Sequence, residues 1–205
     1  MMSKLASQAV AGALALAASL TCATSQAAWR VDSGQSTFSF TTTKAARPGA
    51  AALAEVQTFR QIDGSIGDDG KLVFDVDLAS VETNIDLRNQ RLKDMLFKVA
   101  DHPKAVFNGA VDMRRVQALH TGASMDIDVS GALAISGVAR PLSASLRVVK
   151  LANGALYVGT RLPIVVNLKD YGLQDEVEAL RALMNLDVLA GSAPVSFAVM
   201  LEPQR

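Results

Sequence analysis

The chain has 205 residues, of which 50% are hydrophobic, and its 20 basic and 20 acidic residues give a formal net charge of zero. This balance gives no support to nucleic acid or an anionic membrane surface as a partner, because both are bound by an excess of positive charge. A single cysteine and two histidines leave few residues for the usual catalytic and metal sites. The length suits one domain better than two.

Residues 1–27 have the features of a secretory signal peptide. They carry one basic residue, Lys4, followed by an apolar stretch over 9–20 and by small residues at the end. Cleavage after Ala27 would place Ser25 and Ala27 at the two positions that require small side chains. The apolar stretch is too short for a good membrane-spanning helix of about 20 residues. We therefore expect an exported protein without an integral membrane span after cleavage.

Three other outcomes for this segment stay open: cleavage after Ala28, an uncleaved anchor, and lipid attachment at Cys22. After cleavage, residues 28–205 would form a single domain without cysteine. Such a domain must be stable without disulfides, although exported proteins often use them. Its length is sufficient for one adequate core.

Alternation of apolar and polar side chains, with a period of two, runs through most of residues 28–205 and predicts about eight strands. In chain order these are "STFSF" near the start, a strand around 59–66, and strands over 71–78, 104–111, 124–135, 142–149, 155–168 and 194–201. Turn sequences such as "GDDG" separate several of them. One face of each strand is apolar, and in the 155–168 strand this face includes Leu162. Five phenylalanines fall on the apolar face: Phe38, Phe40, Phe74, Phe107 and Phe197.

Two short segments have helical spacing instead. The first covers 87–97, where the apolar residues at helical spacing are Leu92, Met95 and Leu96. The second is "DEVEALRALMNL", in which Val177, Leu180 and Met184 share one face. Here Asp175 can cap the helix, and Glu178 stands three residues on, as in a capping box.

The pattern predicts an all-β, mainly antiparallel fold. Eight strands with one apolar face need a cover for that face, and two short helices are too small to provide it. An eight-stranded β-barrel with one or two short helices solves this, because its apolar faces cover one another. A two-sheet sandwich satisfies the same pattern and stays open. The interior of such a barrel is either filled by side chains or holds one slender ligand.

The sequence offers little for catalysis. His102 and His120 lie in apparent loops, too far apart for a paired-ligand motif, and no phosphate loop, dinucleotide fingerprint or nucleophile elbow is present. The aspartates of "DGSIGDDG" lack the spacing of a calcium loop. We therefore predict no metal site, no cofactor and no enzymatic activity, although a pair of catalytic carboxylates stays open.

Four motifs occur in order along the chain: "WRVDSGQSTFSF", the segment over 81–107, "SGALAISGVARPLSASL" and "KDYGL". Together they resemble the YceI-like family, exported bacterial proteins with a lipocalin-like barrel, some of which bind polyisoprenoids. The resemblance runs from Trp29 to about Leu201. In the segment over 81–107, the family positions are Thr83, Arg88, Asn89, Leu92, Phe97, Pro103 and Phe107.

The resemblance implies a periplasmic binding or carrier protein for a long lipophilic ligand, such as a polyisoprenoid or an isoprenoid quinone. The ligand tail would lie inside the barrel. Its expected contacts are Phe38, Phe40, Phe74, Leu92, Phe97 and Phe107. The candidates to meet a phosphate or quinone head are Arg88 above all, Arg91 and Lys93, because guanidinium groups bind phosphate in a fork.

The sequence departs from the family pattern at two informative positions. Asn89 stands where the family commonly has aspartate, so we expect any ion pair there with Arg88 to be lost or replaced by a hydrogen bond. Gln57 takes the place of the usual glycine in Gly-x-Phe. Two other functions stay open: an isomerase-like enzyme acting on a lipophilic substrate, and a stress-related protein-interaction module, which requires an exposed apolar patch. A homodimer also stays open.

Overall fold

The computed structural model describes residues 27–204, so the expected signal peptide, except Ala27, and Cys22 lie outside the described residues. Within this range the strands are β1 (Ala27–Ala45), β2 (Leu53–Phe59), β3 (Ile62–Gly67), β4 (Lys71–Asp77), β5 (Val81–Glu82), β6 (Lys104–Ala110), β7 (Ser124–Ile135), β8 (Val138–Lys150), β9 (Leu156–Thr160), β10 (Ile164–Asn167), β11 (Val188–Leu189) and β12 (Ser192–Pro203). The α-helices are α1 (Asp86–Arg91), α2 (Met113–Ala118) and α3 (Gln174–Leu183). A π-helical segment, Leu92–Phe97, continues α1, and Leu78–Ser80 and Leu168–Tyr171 form short 3-10 helices.

The strands form a closed antiparallel barrel. Its wall follows the order β1, β3, β4, β6, β7, β8, β9 and β12, and β12 pairs with β1 to close it. β2 and β3 both pair with β1, and β9 and β10 both pair with β12, so each of these two pairs is one barrel strand with a break in it. The predicted eight-stranded all-β barrel is confirmed, and the two-sheet sandwich is not formed.

An irregularity in β1 helps the barrel to close. The register of β1 against β12 shifts between Asp32 and Thr37. The carboxylate of Asp32 accepts hydrogen bonds from the backbone N–H groups of Gly34 and Gln35, at 2.9 and 3.3 Å, and so stabilises the irregular turn. Bulges of this kind bend a strand and increase its twist, which a closed barrel requires.

The apolar faces of the strands point into the barrel, as the alternation predicts. On β4 and the turn after it, the interior residues are Leu72, Phe74, Val76 and Leu78. On β12 they are Val195, Phe197, Val199 and Leu201. Asp126 and Asp128 of β7 lie on the opposite face from Ile127 and Val129, which line the interior. The core is therefore the inside of the barrel itself.

Two predicted strands differ from the observed ones. The strand expected around 59–66 is formed as β3, but its first residue, Phe59, instead ends β2, which the sequence did not predict, and the strand expected over 155–168 is broken between β9 and β10. Pro163 has no backbone N–H and cannot continue the ladder through this break. Leu162 consequently turns outward and is 72% exposed, so its predicted inward position is wrong.

Helical segments cover one end of the barrel. The predicted helix over 87–97 is confirmed as α1 and its π-helical continuation, and this segment contacts α3. The two are joined by an ion pair of 2.8 Å between Nζ of Lys98 and Oε1 of Glu176. Leu96 and Phe97 point inward and are buried. Within residues 27–204, no helix has the length and apolar character needed to cross a membrane.

The predicted capping box of α3 is wrong. The N-cap residue is Leu173, which makes no side-chain cap hydrogen bond, and Asp175 lies within the first turn. The helix begins earlier because the 3-10 helix before it ends at Tyr171, and Gly172, whose φ is 75°, then turns the chain directly into α3. Glu178 instead pairs with Arg181, at 2.7 Å. The predicted apolar face does form, since Val177 and Leu180 are buried.

The short helix α2 has no counterpart among the sequence predictions. Its N-cap is Asp112, whose carboxylate accepts a hydrogen bond from the backbone N–H of Arg114 at 3.1 Å. Met113 and Val116 are its buried residues. With six residues, the helix is too short for the sequence to show a repeating pattern.

Candidate functional site

The interior of the barrel contains an apolar cavity of about 250 Å³, which we call the tail cavity. Every one of its lining residues among those described is uncharged, and only Thr42 and Ser192 are polar. The structure brings all six apolar residues of the predicted site to its wall: Phe38, Phe40, Phe74, Leu92, Phe97 and Phe107. That a ligand contacts them remains a prediction.

A cluster of phenylalanine rings lines the tail cavity. The ring of Phe38 lies 6.0 Å from Phe59, 6.0 Å from Phe74 and 6.2 Å from Phe197, measured between centroids. Phe59 also approaches Phe97 at 5.9 Å and so links the barrel wall to the helical cover. The predicted site omits Phe59 and Phe197, although strand alternation places Phe197 on the inward face. These geometries are the offset and edge contacts that aromatic pairs prefer.

A second cavity of about 230 Å³ adjoins the first, and we call it the mouth cavity. The two cavities share the lining residues Thr42, Leu92, Leu180 and Leu189. Unlike the tail cavity, the mouth cavity is lined by charged and polar side chains from β1, β2 and α1: Lys44, Glu55, Gln57, Arg88 and Arg91. A molecule spanning both cavities would therefore meet mostly apolar surface, with charged side chains in the wall of the mouth cavity alone.

Glu55 links the polar side chains of the mouth. Its Oε2 lies 3.0 Å from Nζ of Lys44 and accepts a hydrogen bond of 2.6 Å from Nη1 of Arg88. Hydrogen bonds from the Lys44 ammonium, which has the larger effect, and from the Arg88 guanidinium hold the pKa of the Glu55 carboxyl below its usual range. The carboxylate is thus ionised at neutral pH, and it joins β1 and β2 to α1.

Arg88 is held in place from two sides. Besides Glu55, it donates from Nη2 to the backbone oxygen of Thr83 at 2.6 Å. Its Nε is buried and has no acceptor among the described residues. Of the other two head-group candidates, Arg91 lines the mouth cavity, whereas Lys93 is not among the lining residues of either cavity. A role for any of them in binding a head remains a prediction.

Asn89 faces away from this cluster. Its Oδ1 accepts hydrogen bonds from the backbone N–H of Thr83 at 2.8 Å and from Oγ1 of Thr83 at 2.6 Å. Its Nδ2 donates to Glu82 at 3.1 Å. Of the two expected outcomes the first is observed: Asn89 makes neither an ion pair nor a hydrogen bond with Arg88, which pairs with Glu55 instead. Through its hydrogen bonds with Thr83 and Glu82, Asn89 stabilises the turn that precedes α1, in which Asn84 has a φ of 59°.

The mouth has an apolar rim that is open to solvent. Ile85 and Leu87 line the mouth cavity and are 50% and 60% exposed. Leu53, which pairs with Lys44 across the strands, is also exposed. Exposed apolar side chains are what the protein-interaction alternative requires, and others, such as Leu162 and Val165, are not part of the mouth cavity lining.

Neither His102 nor His120 lines the tail cavity or the mouth cavity. His120 lies in the turn before β7 and is exposed, and His102 lies in the loop before β6. Across residues 27–204, the structure brings together no group of three histidine, cysteine, aspartate or glutamate side chains that could hold a metal ion.

The family model described as the YceI-like domain matches residues 29–199, which covers most of the chain. The chain belongs to the YceI-like family. Among solved structures, this YceI-like protein is similar to a polyisoprenoid binding domain from Saccharophagus degradans implicated in plant cell wall breakdown, with 31% identity and a TM-score of 0.82. That match covers 87% of this chain and 100% of the other.

A second solved structure, BcnA of Burkholderia cenocepacia, is 14% identical with a TM-score of 0.62, and the match covers 83% of this chain and 98% of that one. At this identity the similarity concerns the fold alone. None of the curated proteins matches the sequence of this YceI-like protein.

Proposed function

We propose that this YceI-like protein binds and carries a long lipophilic molecule, a polyisoprenoid or an isoprenoid quinone, in the periplasm and without catalytic turnover. The observation that carries this proposal is the tail cavity, about 250 Å³ in volume and lined by uncharged side chains. The polyisoprenoid binding domain from Saccharophagus degradans, 31% identical, supports the choice of ligand class.

The apolar lining favours a hydrocarbon tail for energetic reasons. Each CH₂ group that leaves water for such a surface contributes about 0.8 kcal/mol. A neutral hydrogen bond to a head contributes about 0.5–1.5 kcal/mol, so a tail of several isoprene units dominates the affinity. The tail would supply the binding strength, and the mouth would orient the molecule.

The positions of the ionisable groups favour binding over catalysis. An isomerase acting on a lipophilic substrate needs a titratable group in the apolar cavity, where burial would shift its pKa. The described lining of the tail cavity offers none. At the mouth, Glu55 is already held as a carboxylate by Lys44 and Arg88, which leaves it a poor general base.

Two features support a periplasmic carrier. The sequence of residues 1–27 is typical of an export signal. The exposed rim formed by Ile85 and Leu87 gives a lipid an apolar path between the cavity and a lipid surface, so that the tail need not pass through water.

Native mass spectrometry of the protein, purified gently from its host, tests the ligand. We expect a lipid adduct whose mass fits an isoprenoid, lost on delipidation and restored by incubation with an isoprenoid quinone or polyprenol. Repeated absence of any adduct, together with no uptake of a fluorescent isoprenoid analogue, would rule out the function.

Cell fractionation tests the location. We expect the intact chain to appear in the periplasmic fraction with a new amino terminus at Ala28, and a chain lacking residues 2–27 to stay in the cytoplasm. An intact chain recovered uncleaved from the cytoplasm would contradict the proposed location and leave the ligand proposal to its own test.

A further inference from the structure

The wall of the barrel is not joined between β8 and β10. β8 pairs with β9 as far as Leu146 and Thr160, and one further backbone hydrogen bond of 3.0 Å runs from the N–H of Arg161 to the carbonyl oxygen of Ser145. Beyond this bond, β10 pairs with β12, and no backbone hydrogen bond joins it to β8 among the described residues. The wall therefore has an interruption at this place.

The interruption is closed again at its other end by Arg140. Nε of Arg140 donates a hydrogen bond of 2.8 Å to the backbone oxygen of Asp170, in the 3-10 helix that follows β10. We call the stretch of wall along β8 between Arg140 and Ser145 the side opening. Five residue steps along a strand give it a length of about 17 Å.

Two prolines explain why the strands do not pair at the side opening. Backbone groups alternate between the two sides of a strand, so those of Pro141, Ser143 and Ser145 point the same way, towards β9 and β10. Pro141 has no N–H to donate there, and Pro163 stands directly before β10. Proline is confined to the edges of sheets for this reason. The side opening therefore follows from the sequence.

The side opening adjoins the tail cavity. Leu142 and Ala144 on β8 and Ile164 and Val166 on β10 all line this cavity. Neither 141–144 nor 162–167 contains a charged residue. The apolar interior thus reaches the wall at the place where the two strands are not joined.

An apolar surface also lies outside the barrel beside the side opening. Leu162 and Val165 are 72% and 55% exposed, and Pro163 between them is exposed as well. We call these three residues the outer strip. Natural edge strands are usually protected by charged side chains, and an uncovered apolar edge promotes aggregation. An apolar molecule lying on the outer strip would cover this edge.

The volume of the tail cavity limits the tail that it can hold. An apolar cavity of about 150 Å³ holds one benzene molecule. The tail cavity, at about 250 Å³, therefore holds only a few isoprene units. The rest of a longer tail needs apolar surface elsewhere.

We propose that a lipid tail too long for the tail cavity leaves the barrel through the side opening and lies against the outer strip. The occupant of the strip is the end of the bound molecule itself, because apolar surface continues from Ile164 inside to Leu162 and Val165 outside. The inference rests on the proposed function, since it assumes that a lipid tail enters the barrel. It makes the protein selective for long isoprenoid tails over short ones.

The test compares three isoprenoid alcohols that share a head and differ in tail length: farnesol, geranylgeraniol and solanesol, in order of increasing length. Dissociation constants are measured for the protein, for Val165→Asp and for the matched control Val73→Asp, which places the same charge at an exposed valine on β4. Both variants should fold, because the substituted side chains are exposed.

We expect Val165→Asp to weaken solanesol binding by about tenfold, because the charge removes apolar contact with the end of the tail. Farnesol binding should change by less than about twofold, since its short tail stays inside the barrel. Val73→Asp should leave the affinities for all three alcohols unchanged. Equal weakening of farnesol and solanesol by Val165→Asp, or no weakening of solanesol, would overturn the inference.

The unmodified protein separates this inference from the proposed function. Failure to bind any of the three alcohols would sink the proposed function. Binding of farnesol as tightly as solanesol would sink the inference alone, because the additional tail would then make no contact.

A photoreactive group at the tail end locates that end directly. The solanesol analogue should cross-link to residues 162–165, and the farnesol analogue to interior residues such as Phe38 and Phe74. Cross-links of the solanesol analogue confined to the interior, or to Ile85 and Leu87 at the mouth, would overturn the inference.

A second copy of the chain is the other occupant that the outer strip would suit. Sedimentation of the protein without ligand tests it, and a monomer supports the tail as the occupant. A dimer that Val165→Asp dissociates, with solanesol affinity unchanged, would assign the outer strip to the dimer and overturn the inference.

Discussion

Arg88 on α1 and Glu55 on β2 tie the helical cover to the rim of the barrel through an ion pair of 2.6 Å. Lys44 on β1 shares the same carboxylate oxygen at 3.0 Å. Three separate elements thus meet at one carboxylate beside the entrance to the cavity. Loss of this carboxylate should loosen the cover at neutral pH and remove its share of the pH dependence of stability.

Glu55→Gln should lower the melting temperature at neutral pH by about 1–4 °C, which corresponds to about 0.5–1 kcal/mol for a partly exposed ion pair. The pKa of Glu55 is lowered in the folded protein from an ordinary value of 4.5. Its contribution is therefore complete above pH 4.5 and is lost as the pH falls through the lower folded pKa. Melting curves of both proteins, recorded from neutral pH into the acid range, should converge as the pH falls below the folded pKa of Glu55. A difference that stays constant over this range would contradict the assignment.

Asn89→Asp should lower the melting temperature at neutral pH by about 2–4 °C. The amide nitrogen that donates to Glu82 at 3.1 Å would become a second carboxylate oxygen beside it. Two adjacent carboxylates raise the pKa of the pair, so the loss should shrink as acidification adds a proton to it. Glu82→Gln combined with Asn89→Asp should recover the loss, with Glu82→Gln alone as the control. No recovery in the double variant would disprove the repulsion.

Ala144→Phe should block the tail cavity. Ala144 lines this cavity on β8, so a ring there occupies the space of the ligand tail. We expect the affinity for an isoprenoid hydrocarbon to fall by about tenfold or more, because the cavity no longer admits the full tail. Ala139→Phe places the same ring on the exposed face of the same strand and should leave affinity unchanged. Equal affinities of the two variants would place the ligand outside the barrel.

Gly131→Ala should destabilise the barrel by about 1–3 kcal/mol. Gly131 pairs with Gly109 across β6 and β7, and a Cβ atom at 131 would lie 2.6 Å from the ring of Phe107 and closer still to the carbonyl oxygen of Asn108. Gly159→Ala is the matched strand control, since its nearest neighbour would lie at an ordinary 3.6 Å. Chemical denaturation compares the two. Similar stabilities would show that the wall around Phe107 can shift at little cost.

Strand alternation predicted which side chains line the cavity, because it is a local pattern that is visible without knowing which strands pair. Phe38, Phe74 and Phe107 are examples, and the closed barrel followed from the need to cover so many apolar faces. The breaks in the two divided strands were not predicted. At Leu162 the alternation continues through the break, and only the pairing of β9 and β10 with β12 shows where the strand stops.

The polar mouth was predicted only in part. Arg88 stood out through the family pattern, but its partner Glu55 lies 33 positions earlier on a different strand. No spacing rule links two residues so far apart, because their meeting depends on how α1 packs over β2. Gln57 was visible as a departure from the expected pattern, yet nothing local indicates that it lies in the wall of the mouth cavity.

By itself, the sequence of this YceI-like protein determined the all-β class, the inward faces and the family, since each depends on the order of residues along the chain. The tertiary structure alone decided where β1 meets β12, that the interior keeps a cavity of about 250 Å³, and which charges meet at its mouth. These features depend on strand register and on the packing of distant segments. Both are properties of the folded chain as a whole, because one shifted register would change every contact across the wall.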